Sequence, residues 1–148
     1  MAEIRERPSL TIVRRFDASP EEVWRAWTEP EALKQWMGHS DAFSVPIAEC
    51  DLRVGGRYRI VMKAPDGEDH DVSGVYREVE PNRKLVYTWA WKSTPERESL
   101  VTVEMRAAAG GTELTVRHEQ FFDDDARDRH NQGWIGCLAR LERFCNLA

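Results

Sequence analysis

The C-terminal end of the chain has the pattern of one long amphipathic helix, and this feature restricts the fold more than any other. Apolar residues recur at helical spacing between residues 123 and 146. Three aspartates, Asp123 to Asp125, favour the positive end at which a helix begins. The stripe consists of His130, Trp134, Cys137, Leu138, Leu141 and Cys145. A sheet that buries one face needs a covering layer, and this helix is the only predicted element large enough to provide it.

Two short helices are predicted near the other end of the chain, after an opening strand at residues 10–17. Ser19 suits the N-cap of the first helix, and Glu22 three positions later completes a capping box. A second start signal follows at Pro30, which separates the two helices, and Gly38 ends the pair.

Six further segments alternate in polarity and are separated by Gly-, Pro- or Asn-containing turns, which predicts strands. The short spacing of the turns favours an antiparallel meander over parallel crossovers. The chain is therefore predicted to be α+β, of order β-α-α-β6-α, with a curved antiparallel seven-stranded sheet wrapped on the C-terminal helix. An unpaired edge strand of this sheet could form a homodimer. The predicted strands are 43–51, 57–63, 71–80, 84–92, 100–107 and 112–119.

Length and composition narrow the classes of function. The 148 residues fit one domain, predicted over 1–148 with an ordered core of about 9–146. A net charge of -5 argues against binding nucleic acid, and no apolar run approaches the roughly 18 residues that span a bilayer. Residues 1–9 are charged, so we expect no signal peptide. The odd number of cysteines, Cys50, Cys137 and Cys145, favours reduced thiols and a cytoplasmic location.

The order of elements resembles the helix-grip fold of START-like (SRPBCC) and birch-pollen-allergen-like proteins. Several local motifs are similar to those of the single-domain bacterial type of the heat-shock-protein-90 ATPase activator-homologue family. The resemblance implies a cavity between the sheet and the long helix, and it raises a co-chaperone-like or stress-related interaction as one candidate role. The motifs are residues 15–24, residues 28–31 with Leu33 and Trp36, Gly55-Gly56-Arg57-Tyr58, Gly74-Val75-Tyr76, Leu85-Val86-Tyr87-Thr88-Trp89, residues 111–115 and Gly133-Trp134.

A cavity of this kind would hold a small apolar or amphipathic molecule, which is the first functional hypothesis. Tyr87, Trp89 and Trp91 alternate along one predicted strand and therefore share a face. Aromatic side chains of this kind either grip a ligand or simply fill the core. The candidate ligand-binding residues are Trp36, Tyr58, Tyr76, Tyr87, Trp89, Trp91, His118, Phe121, His130, Trp134 and Leu138.

Two histidines carry the alternative hypothesis of an enzyme. His118 lies on the inward face of its strand and His130 on the apolar stripe of the last helix. They could contact a ligand carboxylate or hydroxyl, or act as acid and base in a cyclase, dehydratase or hydrolase with Tyr58 or Tyr76. The simplest interpretation gives both histidines a structural role.

Metal and cofactor motifs are missing from the sequence. No His, Cys or Asp pair has the spacing of a zinc site, and Asp123-Asp124-Asp125 lacks the glycine turn of a calcium loop. Gly55-Gly56 lacks the lysine and helix of a phosphate loop, and no G-x-S-x-G occurs. We therefore expect no metal, no cofactor and no assigned catalytic residue.

Overall fold

A computed structural model describes residues 7–146, and its elements follow the predicted order β-α-α-β6-α. Each strand and the long C-terminal helix lie within two residues of their predicted bounds. The predicted charged start at 1–9 and the predicted domain limits at 1 and 148 fall partly or wholly outside the described residues. The elements are β1 (Leu10–Phe16), α1 (Pro20–Thr28), α2 (Pro30–Trp36), β2 (Ser44–Cys50), β3 (Arg57–Lys63), β4 (Asp69–Glu80), β5 (Lys84–Trp91), β6 (Ser99–Ala108), β7 (Gly111–Glu119) and α3 (Asp124–Asn146).

The seven strands form one antiparallel sheet in the order β1-β7-β6-β5-β4-β3-β2. Strands β2 to β7 are a meander, as predicted, because each pairs with its neighbour along the chain. Strand β1 returns to the other edge and pairs with β7, from Leu10 opposite His118 to Phe16 opposite Thr112. The fold is therefore the predicted α+β helix-grip arrangement. The edges are β1 and β2, and dimerisation through them stays a prediction.

Local signals begin and end the two short helices as the sequence indicates. The Ser19 hydroxyl accepts a hydrogen bond from the Glu22 N–H at 3.2 Å and so caps α1. Pro30 occupies the first turn of α2, where its missing N–H costs nothing. The Trp36 indole N–H donates to the Ala26 carbonyl at 2.8 Å, which ties α2 to α1.

The core fills one end of the space between the sheet and α3. Leu138 and Leu141 of α3 are fully buried, as are Val101 and Leu114 on the inner face of the sheet. The N-terminal half of α3 stands over the other end of the sheet, where Trp134 lines an open cavity. The same helix thus completes the core with one half and bounds the cavity with the other.

Helix α3 contacts the loop after α2 at two glycines. A Cβ atom at Gly136 would lie 2.0 Å from the carbonyl oxygen of His39, so backbone rests directly on backbone there. A Cβ at Gly133 would meet only the His39 imidazole, at 2.9 Å. Arg140 of α3 also donates to the Met37 carbonyl at 2.7 Å, which fixes the loop along the helix.

These contacts predict different effects for two Gly→Ala substitutions in one helix. Gly136→Ala should lower the free energy of unfolding by about 1–3 kcal/mol, because the new methyl group must push two backbones apart. Gly133→Ala should change it by less, because the exposed His39 side chain can move and alanine favours a helix by about 1 kcal/mol over glycine. Urea denaturation of both variants measures the difference. Equal losses would contradict the direct backbone contact at Gly136.

Candidate functional site

A cavity of about 1250 Å³ lies between the sheet and the N-terminal half of α3. It is large for a small-molecule site, since ligand pockets usually enclose roughly 300–1,000 Å³. Strand β5, the β7–α3 segment and α3 contribute its aromatic wall. The residues of this aromatic wall are Trp89, Trp91, Phe121, Phe122, His130 and Trp134.

The three tryptophans of the aromatic wall meet at defined angles. Trp89 and Trp91 project from the same face of β5 with ring centroids 5.4 Å apart and planes nearly perpendicular, at 88°. Trp134 approaches Trp89 from α3 at 5.6 Å. The first pair is edge-to-face and the second is tilted at 45°. Such aromatic pairs are favourable and directional, so the wall has a fixed shape.

His118 is fully buried behind the aromatic wall and bonds at both ring nitrogens. The Trp134 indole donates to its Nδ1 at 3.0 Å, and its Nε2 lies 2.7 Å from the Ser99 hydroxyl oxygen. An indole N–H can only donate, so Nδ1 must carry the lone pair and Nε2 the proton. Nε2–H therefore donates to Ser99, whose own hydroxyl donates to the Trp89 carbonyl at 3.3 Å. His118 is held neutral in one tautomer.

His130 has the opposite tautomer for the same reason. The Trp91 indole donates to its Nε2 at 2.9 Å, so the proton is on Nδ1. Nδ1–H donates to the Ala126 carbonyl, 2.7 Å away and one helical turn earlier. Each histidine thus accepts from one tryptophan of the wall and has no free nitrogen for proton transfer.

Burial reinforces this neutral state. It lowers the pKa of His118 well below the usual 6.5, and the nearby His130 lowers it further. The pKa of His130 is also lowered, mainly by burial. The hydrogen bond to the Ala126 carbonyl acts in the opposite direction and raises it. The geometry favours the structural interpretation of the two histidines over an acid–base pair.

The predicted tyrosines lie away from the large cavity, in a tightly packed cluster beside α1 and α2. The Trp27 indole donates to the Tyr87 hydroxyl at 3.1 Å, and the Tyr58 hydroxyl donates to the Thr88 carbonyl. Tyr58, Tyr76 and Tyr87 surround a void of only about 10 Å³. Burial raises the pKa of all three phenols, which disfavours a role as bases.

The other predicted ligand-binding residues divide by position. Trp89, Trp91, Phe121, His130 and Trp134 line the large cavity. Trp36 and Leu138 are fully buried core residues and do not line it. Trp36 packs on Trp27 with ring centroids 4.8 Å apart, and His118 supports Trp134 from behind the wall.

The mouth of the cavity has charged residues that the sequence pattern did not single out. Lys92, Arg97 and Arg129 line it and are exposed. The Arg97 guanidinium lies 3.9 Å from the centroid of the Phe122 ring, so a cation–π contact joins the β5–β6 loop to the segment before α3. Loop residues have no periodicity, and no sequence signal could have placed Arg97 there.

Residues 7–146 have neither a metal-binding cluster nor a membrane-spanning helix. No group of three or more His, Cys, Asp and Glu side chains in that range could hold a metal ion. Within the same range, every helix is too short or too polar to cross a membrane.

The sequence and fold match a known family. The family described as activator of Hsp90 ATPase homolog 1-like protein matches residues 17–146. The chain belongs to this family. A human relative, activator of 90 kDa heat shock protein ATPase homolog 1, is 28% identical over 126 residues, which are 84% of this chain. They are 33% of the human protein, so the chain spans about a third of that relative's length.

Solved structures of similar length match this chain over nearly their whole length. A protein of Chromobacterium violaceum is 26% identical with a TM-score of 0.83, covering 93% of this chain and 96% of that one. The AHSA1 protein of Silicibacter pomeroyi is 28% identical with a TM-score of 0.82, covering 95% and 99%. The helix-grip fold and the family resemblance are both confirmed.

The neutral histidines predict a loss of stability in acid. In the unfolded chain His118 takes up a proton near pH 6.5. In the folded protein its lowered pKa means that it is protonated only at lower pH. The free energy of unfolding should therefore fall as the pH drops below about 6.5, by up to about 1.4 kcal/mol per pH unit for each histidine. Urea denaturation between pH 7.5 and pH 5 measures this slope.

His118→Gln is the matched variant for this measurement. A glutamine amide can accept from Trp134 and donate to Ser99 but does not titrate in this range. Its slope should be shallower than that of the wild type, and an unchanged slope would contradict the assignment.

Proposed function

We propose that the protein binds a small apolar or amphipathic molecule in the cavity between the sheet and α3. The observation that carries this proposal is the aromatic wall of an open cavity of about 1250 Å³. Large apolar pockets with few convergent polar groups are the usual form of small-molecule sites. Exposed charged side chains of both signs line the cavity, among them Arg97, Lys92 and Asp128, and they suit a molecule with a polar end directed towards solvent.

Rigidity of the wall supports the same function. Trp91 and Trp134 are each held by a hydrogen bond to a histidine from another element. Binding therefore immobilises little that is not already ordered, which lowers its entropic cost. A core that merely filled space would not leave these side chains around an open volume.

Native mass spectrometry of the protein as isolated, followed by denaturing extraction, tests the proposal. A reproducible added mass that is lost on denaturation would support a bound ligand and give its class. A clean mass, together with no binding by delipidated protein across a panel of fatty acids, sterols and aromatic hydrophobes, would overturn it.

Phe122 at the mouth provides a mutational prediction. Phe122 is 53% exposed, and covering part of this exposed surface on binding is worth of the order of 1 kcal/mol. Phe122→Ala should therefore raise the Kd of a bound hydrophobe roughly fivefold and speed its release. Val13→Ala is the control, because Val13 is 57% exposed but lies on β1, away from the cavity. Equal effects of both substitutions, measured by displacement of a fluorescent hydrophobe, would contradict a site at this mouth.

A second candidate function is regulation of a protein partner. The 28% identity to a protein named as an activator of a heat shock ATPase favours it, although the chain spans about a third of that protein. Stimulation of a chaperone ATPase at saturating protein, kept by Phe122→Ala, would support a role separate from the cavity. No stimulation would count against it.

A cytoplasmic location belongs to the same proposal. Cys50, Cys137 and Cys145 are all free thiols, which suits a reducing compartment.

A further inference from the structure

The carboxylates that line the cavity are mostly neutralised by the chain itself. Four of them line it, and three have an ion pair within residues 7–146. The fourth, Glu68, lies in the turn between β3 and β4 and has no such pair in that range. The three ion pairs are Asp71 with Arg59 at 2.9 Å, Asp69 with Lys63 at 3.4 Å and Asp128 with Arg127 at 3.0 Å.

Two of the four Lys and Arg side chains in the lining are not neutralised in this way. Arg59 has its carboxylate partner, and Arg129 pairs with Asp125 at 3.1 Å. Lys92 and Arg97 form no ion pair with a carboxylate of residues 7–146, and both are exposed. Both belong to the loop between β5 and β6, so this loop adds two uncompensated positive charges to the cavity of a chain whose net charge is -5.

The acidic residues of the same loop do not cancel these charges at the cavity. Glu96 and Glu98 are absent from its lining, and Glu98 pairs with Arg77 of β4 at 3.8 Å. The uncompensated charge of the lining is therefore positive at the β5–β6 loop and negative only at Glu68.

An aromatic ring, and not a carboxylate, holds the Arg97 guanidinium in place. The guanidinium lies 3.9 Å from the centroid of the Phe122 ring, which attracts the cation without cancelling its charge. Arg97 donates no side-chain hydrogen bond within the described chain, so its N–H donors are open to an acceptor from outside. Ser93 and Thr94, between the two cations, add hydroxyl groups to the lining.

Backbone hydrogen bonds keep the β5–β6 loop in one conformation. The Lys92 N–H donates to the Asp71 carbonyl of β4 at 2.9 Å. Two successive turns follow, in which the Thr94 N–H donates to the Trp91 carbonyl and the Arg97 N–H to the Thr94 carbonyl, each at 3.0 Å. A loop that is already ordered loses little entropy when a ligand binds to it.

We propose that the ligand of this cavity carries an oxyanion headgroup, a carboxylate or a phosphate, that binds Lys92 and Arg97 while its apolar part lies against the aromatic wall. The inference rests on the proposed function and specifies the polar end of its ligand. The headgroup meets exposed cations and keeps part of its hydration, which avoids the cost of burying a charge. Met37 and Met62 are buried and also line the cavity, so they extend the apolar surface for the rest of the molecule.

Four probes with chains of matched length test the proposal on the whole protein by titration calorimetry at neutral pH. They are dodecanoate, dodecyl phosphate, neutral dodecanol and cationic dodecylamine. The tighter of the two oxyanions should bind roughly tenfold more tightly than the alcohol, and the amine more weakly than the alcohol. This preference should shrink between about 0.01 M and about 1 M salt, because exposed charges are screened.

Substitutions of the two cations locate the headgroup. Lys92→Gln and Arg97→Gln should each reduce the oxyanion-to-alcohol preference roughly threefold, and the affinity for dodecanol should change less. Arg57→Gln is the matched control, because Arg57 is an exposed cation of β3 that lacks an ion pair among residues 7–146 and does not line the cavity. It changes the net charge by the same amount and should leave the preference intact.

The outcomes separate the two proposals. Equal affinity for the oxyanions and dodecanol would overturn the headgroup inference and leave cavity binding intact, as would tightest binding of the amine. An equal loss of preference in Arg57→Gln and Arg97→Gln would overturn the site at the β5–β6 loop. If a hydrophobe of the panel binds while no dodecyl probe does, only this inference fails, and if nothing binds both fail.

Discussion

The direct contact between α3 and the loop after α2 determines where the core ends and the cavity begins. At Gly136 the His39 carbonyl occupies the place of a side chain, so the loop lies against the helix with nothing between them. Arg140 and the Cys137 thiol bond to the Met37 and Gly38 carbonyls of the same loop. This contact holds α3 at one height over the sheet. Its C-terminal half then closes the core, while its N-terminal half can only bound an open volume.

In the wall of that cavity, the tautomers of the two histidines follow from the hydrogen bonds that an indole can make. An indole N–H donates and never accepts, so each histidine that faces a tryptophan must offer a lone pair. His118 and His130 satisfy this requirement by adopting opposite tautomers, each fixed by a second acceptor, Ser99 or the Ala126 carbonyl. The histidines therefore hold the tryptophans of the aromatic wall in place, and their lone pairs are not available for catalysis. An acid–base role would need a free ring nitrogen, and both nitrogens of each histidine already have a partner.

Much of the fold could be predicted because its signals are local. Ser19, Pro30 and the turn glycines mark the ends of elements, and alternation identifies which side chains share a face. The site was predictable only in part. Alternation shows which face of the sheet a side chain is on, but not whether that part of the face borders the core or the cavity. Tyr87 and Trp89 share a face of β5, yet Tyr87 bonds to Trp27 of α1 while Trp89 reaches the cavity. The indole–imidazole pairs join different elements, and only the register and the height of α3 bring them together.

Trp89 is the exception among the tryptophans of the aromatic wall, because its buried indole N–H has no hydrogen-bond partner among residues 7–146. Two of the three tryptophans in the wall have an acceptor provided by the chain, so the fold is able to satisfy such groups at this place. A phenylalanine at position 89 would fill the wall without a stranded N–H and would suit a purely structural surface. The unpaired Trp89 donor is therefore a cost that the folded chain bears, since a buried N–H without an acceptor is destabilising.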